Sequence, residues 1–390
     1  MPILSLPVLG QPETTREPSP LPHELRQGVT HEIQSVMNAS YQLFDPQPLA
    51  DPGHFADILA EQGLAPDTPI SMLPYGHRDR IGYETRRLYW WLAWNKDQER
   101  FLPPGECAPV DQAGAAKESF PITRIVSFGK CNVACPYCKR DCQFLGEGNL
   151  PIVAKPVPLR DLGTLCTGAI QRGEIVRFSG GDPVVYLKQT LALARYFHDA
   201  HGSKISIAHN GSGPKWVERL LPYLSSAAID LKAVPEQMGE VMGIAADRGD
   251  TFYRLSLETQ RIVSQARIPL NVRTPIFAHT TYEDLLRIAR DIRAANDPRY
   301  TFWELRLYKP VDGVAWQAPS PDAVQALAER LSAEVPDLWI GVRAKWNVSG
   351  MLYVSQGRTQ PVGNWQQDAA TLETGSGNLP SSPPTHEQPF

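Results

Sequence analysis

From Pro121 onward, short apolar runs alternate with longer amphipathic stretches. This alternation predicts a parallel sheet whose strands are joined by crossover helices. The predicted strands are 122–127, 175–179, 205–209, 227–231, 269–274 and 301–307, and the predicted helices are 159–170, 187–201, 214–224, 252–266, 282–294 and 321–333. Six such units predict an α/β fold in the form of a partial, TIM-like (β/α)6 barrel.

The 390 residues leave room for more than this barrel, since a barrel of this type takes about 200 to 250 residues. We expect the following parts: a flexible proline-rich N-terminus at 1–22, a mainly helical extension at 23–118, the core barrel at 119–335, an edge segment at 336–355, and a disordered tail rich in Gln, Gly, Ser, Thr and Pro at 356–390.

The extension has helical periodicity at 31–43, 54–62 and 83–95. Its last predicted helix contains Trp90, Trp91 and Trp94 and follows Arg86 and Arg87, so it is apolar around most of its circumference. Two interpretations stay open: the aromatic residues form a small core of their own, or they cover the open side of the barrel.

Three cysteines follow the first predicted strand with the spacing C-x3-C-x2-C, namely Cys131, Cys135 and Cys138. Three thiolates can hold three irons of a [4Fe–4S] cluster while the fourth iron stays open to a ligand. Cys142 follows closely. A closed site of four thiolates, holding structural zinc or an electron-transfer cluster, is therefore the alternative.

With Tyr137 before the third cysteine, this motif resembles that of the radical S-adenosylmethionine (radical SAM) superfamily. A second resemblance lies at the end of the next strand, where Gly180, Gly181 and Asp182 stand as in the superfamily's GGEP motif, with Asp in place of Glu. The resemblance implies a [4Fe–4S] cluster on the three cysteines, and SAM whose amino group meets exposed backbone at the two glycines, which have no Cβ.

Polar residues at three later strand ends resemble those of pyruvate formate-lyase activating enzymes. They are His209-Asn210-Gly211, Asp230-Leu231-Lys232 and Arg273-Thr274-Pro275. By that resemblance Asn210, Asp230 and Lys232 would contact SAM, and Arg273 would pair with its carboxylate. His209 departs from the family pattern, and it is open whether it is a ligand, a proton donor or a hydrogen-bonded structural residue.

The amino-acid composition excludes one class of binding partner and indicates the cellular compartment. With 38 Lys and Arg against 42 Asp and Glu, the chain has no excess of positive charge for general nucleic-acid binding. Six cysteines, four of them clustered, favour metal binding in a reducing compartment over disulfides. We find neither a signal peptide nor an apolar run of the ~18 residues that would span a membrane, and expect a cytoplasmic protein.

The resemblance implies a mechanism: the reduced cluster delivers an electron to SAM, and the resulting 5′-deoxyadenosyl radical abstracts hydrogen from a substrate. We expect a radical SAM enzyme acting on a small polar metabolite such as a sugar, nucleoside or natural-product intermediate. A glycyl-radical activating enzyme and a non-catalytic iron–sulfur or zinc module are the alternatives. The electron donor would be flavodoxin or ferredoxin, docked near Lys130, Lys139 and Arg140.

Overall fold

The computed structural model describes residues 46–72, 93–106, 123–138, 155–308, 310, 314–343 and 350–363. Several sequence-based expectations therefore lie outside the described residues. They include the N-terminus 1–22, the helix at 31–43, most of the aromatic segment 83–95, Cys142, and the tail beyond residue 363.

The fold is built on a parallel sheet of seven strands. In spatial order they are β4 (Thr123–Phe128), β6 (Ile175–Gly180), β7 (Ile205–His209), β8 (Leu224–Asp230), β9 (Leu270–Ile276), β10 (Thr301–Leu307) and β11 (Trp339–Arg343). The first six are the predicted strands, so the α/β partial-barrel prediction is confirmed. The seventh, β11, comes from the predicted edge segment and pairs in parallel with β10.

Helices connect successive strands of this sheet, except the first helix, which precedes all the strands in the chain. In chain order the helices are α1 (Pro52–Glu61), α2 (Leu159–Gln171), α3 (Leu187–His201), α4 (Pro214–Leu220), α5 (Pro235–Met242), α6 (Gly249–Gln265), α7 (Tyr282–Ala295) and α8 (Pro321–Glu334). Their ends follow local chemistry. Thr281 and Asp284 form a reciprocal capping box at α7, Ser320 caps α8 ahead of a proline, and Gly202 ends α3 in the left-handed conformation.

Antiparallel strands flank the parallel sheet on both sides. On one side β1 (Pro69–Met72) pairs with β4 and with β5 (Lys155–Pro158). On the other side β12 (Gly350–Ser355) pairs with β11 and with β13 (Arg358–Gly363). Both open edges of the parallel sheet are thereby hydrogen-bonded.

The tail predicted from residue 356 is wrong over its first residues, because 358–363 form β13. The two residues between β12 and β13 are Gln356 and Gly357, both with positive φ, at 52° and 70°. Two residues of this kind form the turn whose twist matches a two-residue hairpin. The pairing with β12 thus decides the conformation of a segment whose own composition favours disorder.

The two faces of the sheet differ in polarity. Outward-facing residues of each strand, such as Phe178, Ile229 and Leu305, join a continuous apolar core with the helices. Because side chains alternate along a strand, the residues between them face the barrel interior. Several of these are polar or charged, among them Arg177, Asp230, Asn271, Glu304 and Arg343. The interior is therefore a polar space that ends at the carboxyl edge of the sheet.

The extension contacts the barrel at the amino ends of the strands, opposite to the carboxyl edge. Residues 94 and 95 form a short strand, β2 (Trp94–Asn95), paired with β3 (Arg100–Phe101), so the helix predicted over 83–95 is wrong at its last residues. Trp94 packs on Phe101 and on Tyr300, which precedes β10. This aromatic contact stabilises the amino end of β10, and Trp94 does not line the cavity at the carboxyl end.

No helix in the described ranges is long and apolar enough to cross a membrane.

Candidate active site

The cysteine segment forms a loop directly after β4. Cys131 is exposed, Cys138 is half-buried and Cys135 is buried. The loop is held against the end of α5, where the N–H of Ala134 donates to the carbonyl of Met242 at 3.1 Å. Gly243, which follows α5, has φ of +62°, and a Cβ there would lie 2.0 Å from the Ala134 carbonyl oxygen. Only glycine lets this loop and α5 approach so closely.

The thiols differ in their surroundings. Burial raises the pKa of the Cys135 thiol to about 11, and Lys232 acts in the opposite direction. A metal bound to Cys135 would have to displace that proton. Among the described residues, no three His, Cys, Asp or Glu side chains are grouped to hold one metal ion. This result concerns single-ion sites, since the thiolates of a cubane cluster bind different irons.

The Gly180–Asp182 turn lies against the base of the cysteine loop. The Gly181 N–H donates to the Phe128 carbonyl at 2.6 Å, and the Asp182 N–H donates to the Lys130 carbonyl at 2.8 Å. A Cβ on Gly180 would lie 2.0 Å from the Phe128 nitrogen, and one on Gly181 would lie 2.0 Å from the Lys130 oxygen. Both glycines are therefore required by the packing of these two loops.

Asp182 joins this turn to the segment after β7. Its carboxylate accepts hydrogen bonds from the backbone of Val184 at 2.9 Å and of Asn210 at 2.8 Å, and it bonds the ring of His209 at 2.7 Å. The Asn210 side chain in turn donates to Oδ1 of Asn132, within the cysteine loop, at 2.7 Å. Asp182 and Asn210 thus link three strand-end loops.

Asp230, Lys232 and Arg273 form a group of charges at the ends of β8 and β9. The Asp230 carboxylate lies 2.8 Å from Nζ of Lys232 and 2.5 Å from Nη2 of Arg273. Burial opposes ionisation of Asp230, but Arg273 and Lys232 prevail and hold the pKa of that carboxyl well below its usual range. Lys232 also lies 5.6 Å from the centre of the Tyr137 ring.

Sequence reasoning missed a second charged group, which is centred on Glu304 of β10. Glu304, only 1% exposed, accepts from Arg306 at 2.6 Å, from Arg343 at 3.2 Å and from Asn271 at 2.6 Å. A usable signal was present: charged residues at alternate positions of an otherwise apolar strand, as in Trp-Glu-Leu-Arg-Leu, point to a polar barrel interior.

An aromatic cluster beside Tyr137 was also missed. Tyr137 contacts Phe277, Tyr308 and Trp316, with ring centroids 5.4, 6.2 and 6.0 Å away. These residues come from the loops after β9 and β10 and form one wall next to the cysteine loop.

The structure brings every site residue predicted from the sequence into one cavity at the carboxyl ends of the strands. The cavity is lined by Cys131, Cys135, Tyr137, Cys138, Gly180, Gly181, Asp182, Asn210, Asp230, Lys232 and Arg273, together with the unpredicted Arg306, Leu307 and Tyr308. This is the edge where catalytic groups collect in α/β barrels.

A family model describes the same part of the chain. Residues 125–292 match the Radical SAM superfamily, a segment that begins in β4 and contains the cysteine loop and the other predicted site residues. The protein carries a radical SAM domain. The cofactors of this superfamily are SAM and an iron–sulfur cluster.

Solved structures with similar folds include other radical SAM proteins. SuiB of Streptococcus suis bound to S-adenosylmethionine is 15% identical, with 60% of this chain and 51% of that chain covered and a TM-score of 0.43. A domain of pyruvate-formate lyase-activating enzyme from Bacteroides vulgatus is 19% identical, covering 43% and 98%, with a TM-score of 0.34. A radical SAM methyltransferase from Sphaerobacter thermophilus is 14% identical, covering 81% and 99%, with a TM-score of 0.44.

The chain spans about half the length of SuiB, at 51%. No curated protein matches the sequence. What the enzyme acts on must therefore be argued from its own site.

Proposed function

We propose that this radical SAM enzyme uses a [4Fe–4S] cluster, held by Cys131, Cys135 and Cys138, to cleave SAM reductively and take a hydrogen atom from a small polar metabolite. The observation that supports this most is the meeting of separate motifs. Three thiols after β4, the glycine turn after β6 and the charged group after β8 and β9 line one cavity.

The residues fit the proposed cluster and SAM. Three cysteines of one loop supply soft ligands and leave one iron for SAM. The two glycines expose backbone at the cavity wall, and neither position has room for a side chain. When bound, the cluster and SAM supply a 5′-deoxyadenosyl radical, which is the chemistry that no side chain provides.

The chain's own groups would hold and orient SAM. Lys232 and Arg273 present positive charge for its carboxylate, and Asp230 fixes both cations by ion pairs. The backbone at Gly180 and Gly181 would receive the amino group. Asn210 and Asp182 contribute by keeping this turn and the cysteine loop in register. Tyr137 and its aromatic neighbours would exclude water from the cysteine loop.

The interior below these residues supports a small polar substrate. Arg306 lines the cavity, and Glu304 and Arg343 lie behind it. Charged groups of this kind would be costly to bury beside an apolar substrate. We propose a cytoplasmic enzyme, in keeping with its clustered cysteines.

We further propose that flavodoxin or ferredoxin supplies the electron. Lys130 stands exposed immediately before the first cysteine, where a positive charge would steer an acidic donor toward the loop. Lys139 and Arg140, the other two residues of the proposed docking surface, lie outside the described residues.

Anaerobic reconstitution tests the proposed function. The protein is loaded with iron and sulfide, its [4Fe–4S] signal is recorded by electron paramagnetic resonance, and 5′-deoxyadenosine is measured after addition of SAM and dithionite. We expect signal and product in the wild type and neither in Cys135→Ala. A reconstituted protein that has a cluster but forms no 5′-deoxyadenosine would favour a non-catalytic module instead.

Deuterated substrates separate the two enzyme hypotheses. Transfer of deuterium from a small metabolite into 5′-deoxyadenosine would support the proposal. Transfer only from a glycine-deuterated partner protein would support a glycyl-radical activating enzyme.

A further inference from the structure

The barrel interior holds more positive than negative charge among the described residues. Five cationic side chains lie together in or just below the cavity, and two carboxylates, Asp230 and Glu304, are bonded to them. The cationic residues are Arg177, Lys232, Arg273, Arg306 and Arg343. A third carboxylate, Asp182, lies at the rim and is bonded to His209 and the Asn210 backbone instead.

Arg177 is the most unusual member of this group. It is 4% exposed, and Nη1 has no hydrogen-bond partner in the described part of the chain. Burial lowers its pKa, and so do Arg273 and Arg306. Glu304 acts in the opposite direction, but no described carboxylate forms a salt bridge with Arg177. Burying an arginine in this way is costly, so its position inside the barrel points to an anion that completes the group.

Arg306 is the member that reaches the cavity. Its Nε is bonded to Glu304, whereas no described residue accepts a hydrogen bond from its two Nη groups. A planar guanidinium with two free NH2 groups is suited to bind a carboxylate or phosphate through paired hydrogen bonds. Arg343 pairs in register with Arg306 on the adjacent strand and also bonds Glu304.

Arg306 and Arg343 are paired with a different carboxylate from the one that pairs with the proposed SAM contacts. Arg273 and Lys232 share the carboxylate of Asp230, whereas Arg306 and Arg343 share that of Glu304. The barrel interior therefore holds two groups of cations that each share a carboxylate, one at the ends of β8 and β9 and one on β10 and β11.

We propose that the substrate of this enzyme carries an oxyanion group, a carboxylate or a phosphate, and that Arg306 binds this group with Arg177 and Arg343 behind it. The inference rests on the proposed function, because it assigns the substrate of that same site. The anion would anchor one end of the substrate in the barrel and leave its reacting carbon near the cysteine loop.

Titration calorimetry of the reconstituted enzyme tests the proposal. SAM is present at saturation without reductant, so that the proposed SAM site is filled, and the probes are inorganic phosphate, succinate and neutral succinamide. We expect at least one anion to bind at least tenfold more tightly than succinamide, with an affinity that falls as salt is raised. The better of the two anions distinguishes a phosphate ester from a carboxylic acid.

Substitutions of Arg306 test whether this residue binds the anion. We expect Arg306→Met to weaken the preferred anion at least tenfold and Arg306→Lys to weaken it less, because the charge remains but the paired N–H groups are lost. The matched control is Arg254→Met, which removes an exposed arginine paired with Asp250 on α6 and should leave anion affinity unchanged.

Two results would overturn the inference: neither anion binds the wild type better than succinamide, or Arg306→Met binds the anion as well as the wild type does. If Arg306→Met does not fold, two other measurements test the inference. They are the affinity of the wild type for the anions relative to succinamide, and the anion affinity of Arg306→Lys. The readout does not depend on SAM cleavage. Anion binding without 5′-deoxyadenosine formation would contradict the proposed function alone.

Discussion

Nδ1 of His209 donates a hydrogen bond to the carboxylate of Asp182 at 2.7 Å, and both side chains are buried. The donor is identified by the other ring nitrogen, since Nε2 accepts from the backbone N–H of Gly213 at 3.0 Å. Each ring nitrogen thus has a protein partner. Of the roles left open by the sequence, this geometry favours that of a hydrogen-bonded structural residue.

The first prediction concerns Asp182→Asn. The carboxylate accepts three hydrogen bonds, and an amide of the same shape must turn its NH2 toward at least one of these donors. We expect the free energy of unfolding to fall by about 1–3 kcal/mol, measured by urea denaturation. The matched control is Asp250→Asn, an exposed carboxylate on α6, which should change stability by less than about 0.5 kcal/mol. Equal effects of the two substitutions would contradict the structural role.

The second prediction concerns the cysteines. Replacing Cys131, Cys135 or Cys138 by alanine should abolish the [4Fe–4S] signal and SAM cleavage, whereas Cys142→Ala should retain both, because an open iron is needed for SAM. Cys166→Ala is the control, since this thiol is buried in α2 and absent from the cavity. The measurement is the iron and sulfide content of each purified variant. Loss of the cluster in Cys142→Ala would mean a closed site of four thiolates.

The third prediction compares two glycines. In Gly181→Ala the new Cβ would lie 2.0 Å from the Lys130 oxygen, so the turn must move away from the cysteine loop. We expect SAM affinity, measured by equilibrium dialysis, to fall more than tenfold. Gly202→Ala places its Cβ in open space at φ of +60°, and this backbone strain should cost only about 1 kcal/mol of stability and leave SAM affinity unchanged. Unaltered SAM affinity in Gly181→Ala would argue against backbone recognition at this turn.

The fourth prediction is a pH dependence carried by Glu304. Burial acts to raise its pKa, but Arg306 and Arg343 outweigh it and lower the pKa of Glu304 to about 2. Because the unfolded state binds this proton at higher pH than the folded state, the stability that Glu304 contributes is present above about pH 4.5 and is lost as the pH falls toward 2.

Glu304→Gln should therefore flatten the dependence of unfolding free energy on pH between about 4.5 and 2. At neutral pH it should cost about 3–5 kcal/mol, because arginines are left buried without their carboxylate. Urea denaturation across this range provides the measurement. An unchanged pH slope would show that Glu304 does not carry the effect.

The fifth prediction concerns the contact between the extension and the barrel. Phe101 is fully buried, with its ring centre 5.6 Å from that of Phe302 on β10. We expect Phe101→Ala to reduce stability by about 3–5 kcal/mol without reducing the iron content of the folded protein, because the contact lies at the far end of β10 from the cavity. Leu187→Ala, at a position 45% exposed, should change stability by less than about 1 kcal/mol. Loss of SAM binding in folded Phe101→Ala would revive the interpretation of the extension as a cover of the cavity.

The sequence alone predicts the type and bounds of those helices and strands whose apolar residues form a strong pattern. The strand at 205–209 and the helix at 187–201 were predicted with their observed bounds, because the strand is a short, largely apolar run and the helix has one apolar face. The residues that line the cavity could be placed because parallel strands bring their carboxyl ends to one edge.

β11 lies in the predicted edge segment, but its pairing was not predicted, and the strand at Trp94 was predicted as a helix. β11 has five residues and gains its pairing from β10 on one side and β12 on the other. Trp94 lies in a strand because Phe101 and Tyr300 are there to receive its ring. The contact of Trp94 with Tyr300 and the pairing of β11 with β10 join residues far apart in the chain, so a local pattern does not show them.

The hydrogen bonds that hold the cysteine loop in place have a consequence for how the protein is assembled. Asn132 bonds both Asn210 and Ser212, and Ala134 bonds the end of α5. All of these bonds run between protein groups, so the conformational entropy of the loop is lost when the chain folds, not when metal arrives. The proposed cluster would then bind to a loop whose position these hydrogen bonds fix. On this basis an enzyme whose cluster has been destroyed by oxygen should accept a new one without refolding.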